Sequence, residues 1–222
     1  MTDLDKMGLK GNAKYLKFTS QSTEGSGELS NTQNEGEGIR IDNEYFFNEH
    51  SMISEQRQYS SSKLSQIFVY EYDSRNLLIS KDYFNASNEL VMKSKFENIL
   101  DSNGEIIEQT EFRAIKNSLT DSTEIIYQKA PYEIMEFSYN QNGELSKLTY
   151  IQSVFGADFP KSIIEYKNGL VDKQLIVDAN GNVISSREVE CLEFDKKGNC
   201  LKLKSTDSDQ TEEFTNAEIK YY

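Results

Sequence analysis

One short pattern recurs seven times along this chain and constrains its fold more than any other feature. It reads aromatic or apolar, Asp or Asn, two polar residues, a Gly-like residue, one variable residue, then an apolar residue. Copies open at Phe47-Asn48, Tyr72-Asp73, Phe84-Asn85, Leu100-Asp101, Tyr139-Asn140, Val177-Asp178 and Phe194-Asp195. An Asp or Asn at the start of a type I turn accepts hydrogen bonds from backbone N–H groups further along the loop. The fifth position must then enter the left-handed region, where Gly carries no Cβ penalty. Four copies place Gly104, Gly143, Gly181 and Gly198 there, two place Asn76 and Asn88, and Ser51 fits least well. A type I turn closed by a left-handed residue is a hairpin loop with a bulge. Asn168-Gly169 adds a two-residue type I′ hairpin signal between Ile164–Lys167 and Leu170–Val171.

Between these loops the segments are short and alternate in polarity, as in Phe68-Val69-Tyr70-Glu71-Tyr72 and Leu201-Lys202-Leu203-Lys204. That alternation predicts antiparallel strands with one face buried. Successive loop starts stand 25, 12, 16, 39, 38 and 17 residues apart, which argues for degenerate repeats in a meander rather than equal propeller blades. The expected fold is therefore all-β, an antiparallel hairpin meander forming a curved sheet around one core. One domain is expected over residues 1–222, because hairpin signals run without a break to Tyr222.

The ends differ from the middle. Thr2-Asp3-Leu4-Asp5 has the form of a helix N-cap, and Gly8 would stop a single turn. Lys14–Thr19 reads as a first strand, and Ile39–Phe47 as the second. The segment joining them, residues 20–38, is rich in Ser, Thr, Gly, Glu and Asn and reads as a flexible loop. Ile151–Phe159 is the least strand-like stretch.

Composition excludes several functions. The formal net charge of −13 argues against nucleic-acid binding, which needs clustered Lys and Arg. With 13 Tyr and 12 Phe the chain is too aromatic for a disordered acidic tail. No apolar run approaches the roughly 18 residues of a helical membrane span, and residues 1–20 lack the apolar core of a signal peptide. Cys191 and Cys200 bracket a turn but are offset on adjacent strands. That spacing permits a disulfide without favouring one, and the expected state is two thiols in a reducing cytoplasm. A signal peptide removed upstream would instead place the chain in the periplasm or at the cell surface.

The repeat resembles that of the YD-repeat, or RHS-like, proteins, whose unit carries Tyr-Asp, two polar residues, Gly-Asn and an apolar residue. Tyr72-Asp73, Asp178-Ala179-Asn180-Gly181-Asn182-Val183 and Asp195-Lys196-Lys197-Gly198-Asn199 match it best, and Met7–Lys14 is similar to the start of bacterial YD-like proteins. The resemblance covers roughly residues 45–203. It implies stacked β-hairpins used as a shell or binding surface, and no catalytic residues. MORN-like antitoxin repeats have similar hairpins and are the second relative.

Candidate chemistry is sparse. The single histidine, His50, falls at a turn tip, with no partner pattern for nucleophilic catalysis or zinc binding. Asp207-Ser208-Asp209 lacks the Gly and Glu of a calcium loop and reads as a polar hairpin loop. Gly25-Ser26-Gly27 and Gly36-Glu37-Gly38 have no Gly-Lys-Ser/Thr and are not phosphate cradles. No cofactor or enzymatic activity is indicated. The densest acidic stretch, Glu188, Glu190 and Glu193 with Asp207 and Asp209, is the candidate partner-binding surface. Together with the net charge, it leads to the expectation of a non-catalytic, protein-binding module. The partner would be basic, as for an immunity or antitoxin-like protein that neutralises a basic toxin. The alternative is a cell-surface or periplasmic carbohydrate-binding or scaffold protein.

Overall fold

In the computed structural model, residues 2–7, 9–22, 41–114, 125–152 and 159–222 are described. A single helical turn, α1 (Asp3–Lys6), precedes fourteen strands. These are β1 (Ala13–Ser22), β2 (Ile41–Phe47), β3 (Ile53–Ser60), β4 (Lys63–Tyr72), β5 (Leu78–Asn85), β6 (Leu90–Leu100) and β7 (Ile106–Arg113). They continue as β8 (Glu133–Tyr139), β9 (Leu145–Ile151), β10 (Lys161–Lys167), β11 (Leu170–Val177), β12 (Val183–Phe194), β13 (Cys200–Asp207) and β14 (Glu212–Tyr221). Each strand pairs antiparallel with its neighbours in sequence, and β1 pairs with β14 from Ala13↔Tyr221 to Ser22↔Glu213. The all-β antiparallel meander is as the sequence predicts. It does not remain an open curved sheet: it closes into a 14-stranded barrel, which removes the edge strands that an open sheet would expose.

The repeated loops form as their chemistry requires. All seven fifth positions have positive φ, including Ser51 (63°), Asn76 (61°), Gly181 (86°) and Gly198 (83°). In each loop the Asp or Asn side chain accepts two backbone N–H bonds. Asp195 Oδ1, for example, accepts from Lys197 and Asn199 at 2.8 and 2.9 Å. Asn168 and Gly169 are both left-handed, as a type I′ turn demands. An eighth loop has the same backbone. Asp207 N donates to Thr211 O, Gln210 N donates to Asp207 O, and Gln210 has φ 70°. Its polar flanks and its Gln in place of Gly hide it from the pattern.

Up-and-down topology places alternate connections at opposite ends of the barrel. One end carries the loops at 48–52, 73–77, 101–105, 140–144 and 195–199 with the Asn168-Gly169 turn, so every connection there is tight. The chain enters β1 and leaves β14 at this same end. The other end carries three longer connections, after β1, β7 and β9, most of which fall outside the described residues. The expected flexible loop belongs to the first of these. Its opening residues, Ser20–Ser22, are strand, and the remainder lies outside the described residues. Most of Ile151–Phe159 lies outside them too.

Packing concentrates at the tight end. Leu9, Ala13, Leu16 and Phe47 form one buried cluster, and Leu77, Ile106, Phe137, Leu145 and Leu148 form a second. Phe47, Ile106 and Leu145 are first or seventh positions of the repeat, so the loop pattern also supplies the apolar plug of the barrel. The outward rows differ: Arg57–Glu55, Lys95–Glu97, Lys173–Glu188 and Lys220–Glu218 are exposed ion pairs on the outer wall.

The cysteines depart from expectation. Cys191 and Cys200 form a disulfide, with Cα atoms 5.8 Å apart. The β12–β13 register shifts twice between Cys191 and Phe194. These bulges distort β12 locally, which an argument from regular strand offset does not anticipate.

Candidate binding site in the barrel lumen

The tight end of the barrel is closed from within by the N-terminal segment. The Asp3 carboxylate accepts from the Tyr72 hydroxyl at 2.6 Å and from Ile53 N at 3.0 Å, and pairs with Lys6 at 3.2 Å. Tyr166 OH donates to the Lys6 carbonyl, and the Lys6 ammonium lies 5.6 Å from the centre of the Phe137 ring. Leu9 is buried, and Asn199 grips both backbone groups of Lys10. Asp3, Lys6 and Lys10 therefore reach β3, β4, β8, β10 and the β12–β13 loop. Asn199 is itself fully buried; its Nδ2 also donates to Tyr221 OH, which donates to Asp195.

Above this segment is a cavity of about 1030 Å³, at the upper end of the range typical of small-molecule sites. Its wall is apolar and aromatic over most of its area, with Lys167, Asp172, Lys173, Glu188, Glu190 and Lys204 also bordering it. Phe18, Tyr45, Ile53, Leu148, Tyr150, Ile164, Tyr166, Val189 and Leu203 line it, with Met7, Leu9 and the Asp3–Lys6 pair at its floor. The disulfide also borders it. Burial alone pushes Tyr45 up to about 12. Burial and then the neighbouring Tyr166 and Glu133 raise Tyr150 further. These phenols stay neutral across the physiological range and offer hydrogen-bond donors in an apolar setting.

The lumen is not uniformly apolar. On β5 to β8 the inward row carries Lys81, Ser94, Glu111, Arg113 and Glu133. Glu111 is 1% exposed, accepts from Ser94 Oγ at 2.6 Å and Arg113 Nε at 3.2 Å, and lies 3.6 Å from Lys81 Nζ. Toward the end with longer connections, Arg187 holds Asp207 through two bonds (2.6 and 3.0 Å) and Glu213 through a third (2.9 Å).

The acidic residues chosen from sequence do not form one surface. Glu188, Glu190 and Glu193 are exposed, and the register sets Lys173 against Glu188, Lys204 against Glu190 and Lys202 against Glu193. Lys173 Nζ lies 3.9 Å from Glu188, whereas the Lys204 ammonium pairs with Glu212 at 2.5 Å. Asp207 lies opposite Arg187 on the inward row, the face away from Glu188. Asp209 accepts from Thr211 N within its own loop. His50 is an exposed turn residue. The lumen residues escaped sequence reasoning because an inward polar side chain has the same period as an outward one. The signal that was present is the recurrence of Lys81, Glu111 and Glu133 at positions whose alternation calls for apolar residues.

No family model matches the sequence, and no curated protein is similar to it. Among solved structures, the chain is similar to a porin-like protein from Bacteroides uniformis ATCC 8492. The identity is 7% and the TM-score 0.48, over 94% of this chain and 98% of that one. It is also similar to a domain provisionally assigned to outer membrane lipoprotein sorting, from Vibrio parahaemolyticus. There the identity is 7% and the TM-score 0.38, over 98% of this chain and 90% of that one. Neither is described as a YD-repeat or MORN protein.

Proposed function

We propose that this protein is a non-catalytic binding barrel that faces water outside the cytoplasm and holds a small apolar molecule in its lumen. The observation that carries this reading is the cavity of about 1030 Å³ inside a closed sheet, with aliphatic and aromatic side chains over most of its wall and a few charged ones at its border. Apolar walls with a few oriented polar groups are the usual make-up of a small-molecule site. The outer wall supports the aqueous setting. Its exposed ion pairs sit on strand faces that a membrane barrel covers with apolar residues, where each buried Lys or Arg costs about 2–4 kcal/mol at mid-membrane. The disulfide supports an oxidising compartment and removes the reason for expecting a cytoplasmic one.

The test is titration with a fluorescent apolar probe such as N-phenyl-1-naphthylamine. Saturable binding at one site per chain is expected, weakened by Val189→Trp in the lumen and unaffected by Val183→Ser on the exposed rim. Absence of saturable binding overturns the reading.

A basic protein partner is the second reading, favoured by the net charge and by the exposure of Glu188 and Glu190. The lysines on the neighbouring strands weaken it, because alternating signs give less steering than a single-sign patch. Charge reversal at Glu188 and Glu190 should slow association with such a partner at low salt. Unchanged kinetics would remove that surface from consideration.

A further inference from the structure

Phe18 on β1 and Tyr45 on β2 line the cavity, and two rows of side chains run sideways from them across the inner face of β2 to β5. Alternate residues of a strand share a face, so Asn43 lies on the same side as Tyr45. Register sets Asn43 opposite Phe18, Gln58 opposite Asn43 and Gln66 opposite Gln58. The next row toward the tight end reads Tyr45, Gln56, Phe68 and Tyr83. Hydrogen bonds hold the two rows together. Gln56 Nε2 donates to Asn43 Oδ1 and to the Tyr45 hydroxyl, both at 3.4 Å, and Tyr70 OH donates to Gln56 Oε1 at 2.8 Å. The Phe68 and Tyr83 rings stack, with centroids 5.2 Å apart and planes 20° from parallel.

The amides of the lumen differ in what they hold. Gln109 on β7 is 3% exposed and donates to Asn98 at 2.7 Å, as a sealed amide requires. Gln58 and Gln66 are half-buried, and neither side chain has a hydrogen-bond partner among the described residues; the same holds for the Tyr83 hydroxyl. Each free amide presents two donors and an acceptor. The two rows from Phe18 to Gln66 and from Tyr45 to Tyr83 contain no charged side chain, in a protein with 24 basic and 37 acidic residues. A neutral wall of amides beside stacked rings fits a sugar. The hydroxyls of a pyranose each donate and accept, as primary amides do, and its C–H face packs on an aromatic ring. An anionic head would find no cation on these rows and would face a net charge of −13, and a cationic head would find no carboxylate there.

We propose that the lumen ligand is a neutral glycoside of an apolar chain, with the chain in the cavity and the sugar on the wall formed by Asn43, Gln58, Gln66 and the Phe68–Tyr83 pair. Phe18 and Tyr45 belong to both surfaces and mark the junction of chain and sugar. The proposal rests on the lumen reading above and adds the chemical class of the ligand. A simple alcohol would fill the cavity but leave the amides of Gln58 and Gln66 to water.

Competition against N-phenyl-1-naphthylamine with decyl β-glucoside, decanol and pentaethylene glycol monodecyl ether, each below its micellar concentration, separates these cases. The three share a chain and differ in the head, and the polyether controls for a bulky neutral head that lacks hydroxyl-bearing ring geometry. The glucoside should bind at least about tenfold more tightly than either of the others, a margin equivalent to about 1.4 kcal/mol. The double variant Gln58→Met, Gln66→Met keeps side-chain length and removes the amides. It should bring glucoside and decanol to within about threefold while leaving decanol affinity unchanged, which also shows that the variant folds. Tyr83→Leu is an independent second variant and should reduce the glucoside preference in the same way. Decanol binding without a glucoside preference, or a preference that survives both variants, overturns this proposal alone. Failure of the probe and of all three compounds to bind overturns the lumen reading and this proposal with it.

Discussion

The Tyr72 hydroxyl donates to the Asp3 carboxylate at 2.6 Å, joining residues 69 apart in sequence at the closed end of the barrel. Tyr72 is the first residue of a repeated loop and Asp3 begins the only helical turn among the described residues. Their bond ties the loop pattern to the segment that floors the cavity. Asp3 also satisfies the backbone N–H of Ile53, so one carboxylate serves two strands.

Removing that carboxylate should loosen the floor before the wall. Asp3→Ala leaves the Tyr72 hydroxyl and the Ile53 N–H without their acceptor. Hydrogen bonds to charged groups contribute about 1.5–3 kcal/mol each, and their loss here is partly relieved by entering water. We expect a destabilisation of about 1–3 kcal/mol in denaturant unfolding. Amide exchange should quicken over residues 2–10 and stay slow in β9 and β10. Uniform quickening throughout would mean that the segment is integral to the barrel rather than a floor laid within it.

The left-handed loop positions give a matched pair of substitutions. Gly198, at φ 83°, has only the end of the Lys10 side chain near its missing Cβ, so the cost of Gly198→Ala is conformational. It should be about 1 kcal/mol or slightly more. Ser51 already bears that cost at φ 63°. Ser51→Gly should therefore stabilise by a few tenths to about 1 kcal/mol, the gain being reduced by greater freedom in the unfolded chain. Thermal unfolding of both variants, read for opposite shifts in Tm, checks the pair.

Much of this architecture is legible in the sequence, and the reason is local. Asn48, Asp73, Asn85, Asp101, Asn140, Asp178 and Asp195 act on N–H groups within four residues, so their chemistry needs no tertiary information. The irregular spacing also resolves: intervals of 12, 16 and 17 residues each span one strand, while the longer ones span two or three. Closure is different. It depends on Ala13 meeting Tyr221 across nearly the whole chain, and no local motif encodes that pairing. The site was hidden for a related reason. Glu111 and Glu188 look alike in sequence, yet one faces the lumen and the other faces solvent. The spacing permits the disulfide without favouring it, because the bulges beside Cys191 leave no clear mark in composition.

Reduction of that disulfide should destabilise without unfolding. It closes a loop of sequence separation 9, for which chain-entropy estimates give about 2–3 kcal/mol. The Cys191→Ser, Cys200→Ser double variant should lower the denaturant midpoint accordingly. Insensitivity of the wild type to a strong reductant, with free-thiol counts confirming reduction, would argue that the bridge adds nothing to stability.

Acid should act on the Asp195 loop. Burial tends to raise its pKa, but the Tyr221 hydroxyl and the backbone N–H groups of Asn199 and Lys197 outweigh it, taking the group from 3.8 down to about 2. A depressed carboxylate contributes stability above its unfolded value, which is lost as pH falls from about 3.8 toward 2. Asp195→Asn should flatten the stability profile in that window. Glu133 has the opposite sign. Its raised pKa means that the folded state keeps a proton longer, so stability falls as pH rises from about 4.5 through the raised value. Glu133→Gln should remove this second dependence, as equilibrium unfolding across pH would show.

The most direct test of the lumen reading is methyl-resolved NMR during titration with dodecanol. Methyl groups of Ile53, Leu148, Ile164 and Val189 line the cavity, whereas those of Val183 and Ile184 are among the most exposed in the protein. Binding in the lumen predicts saturable shifts and ligand cross-peaks at the first four, with Val183 and Ile184 unmoved. Shifts confined to Val183 and Ile184, or no shifts at all, would contradict it.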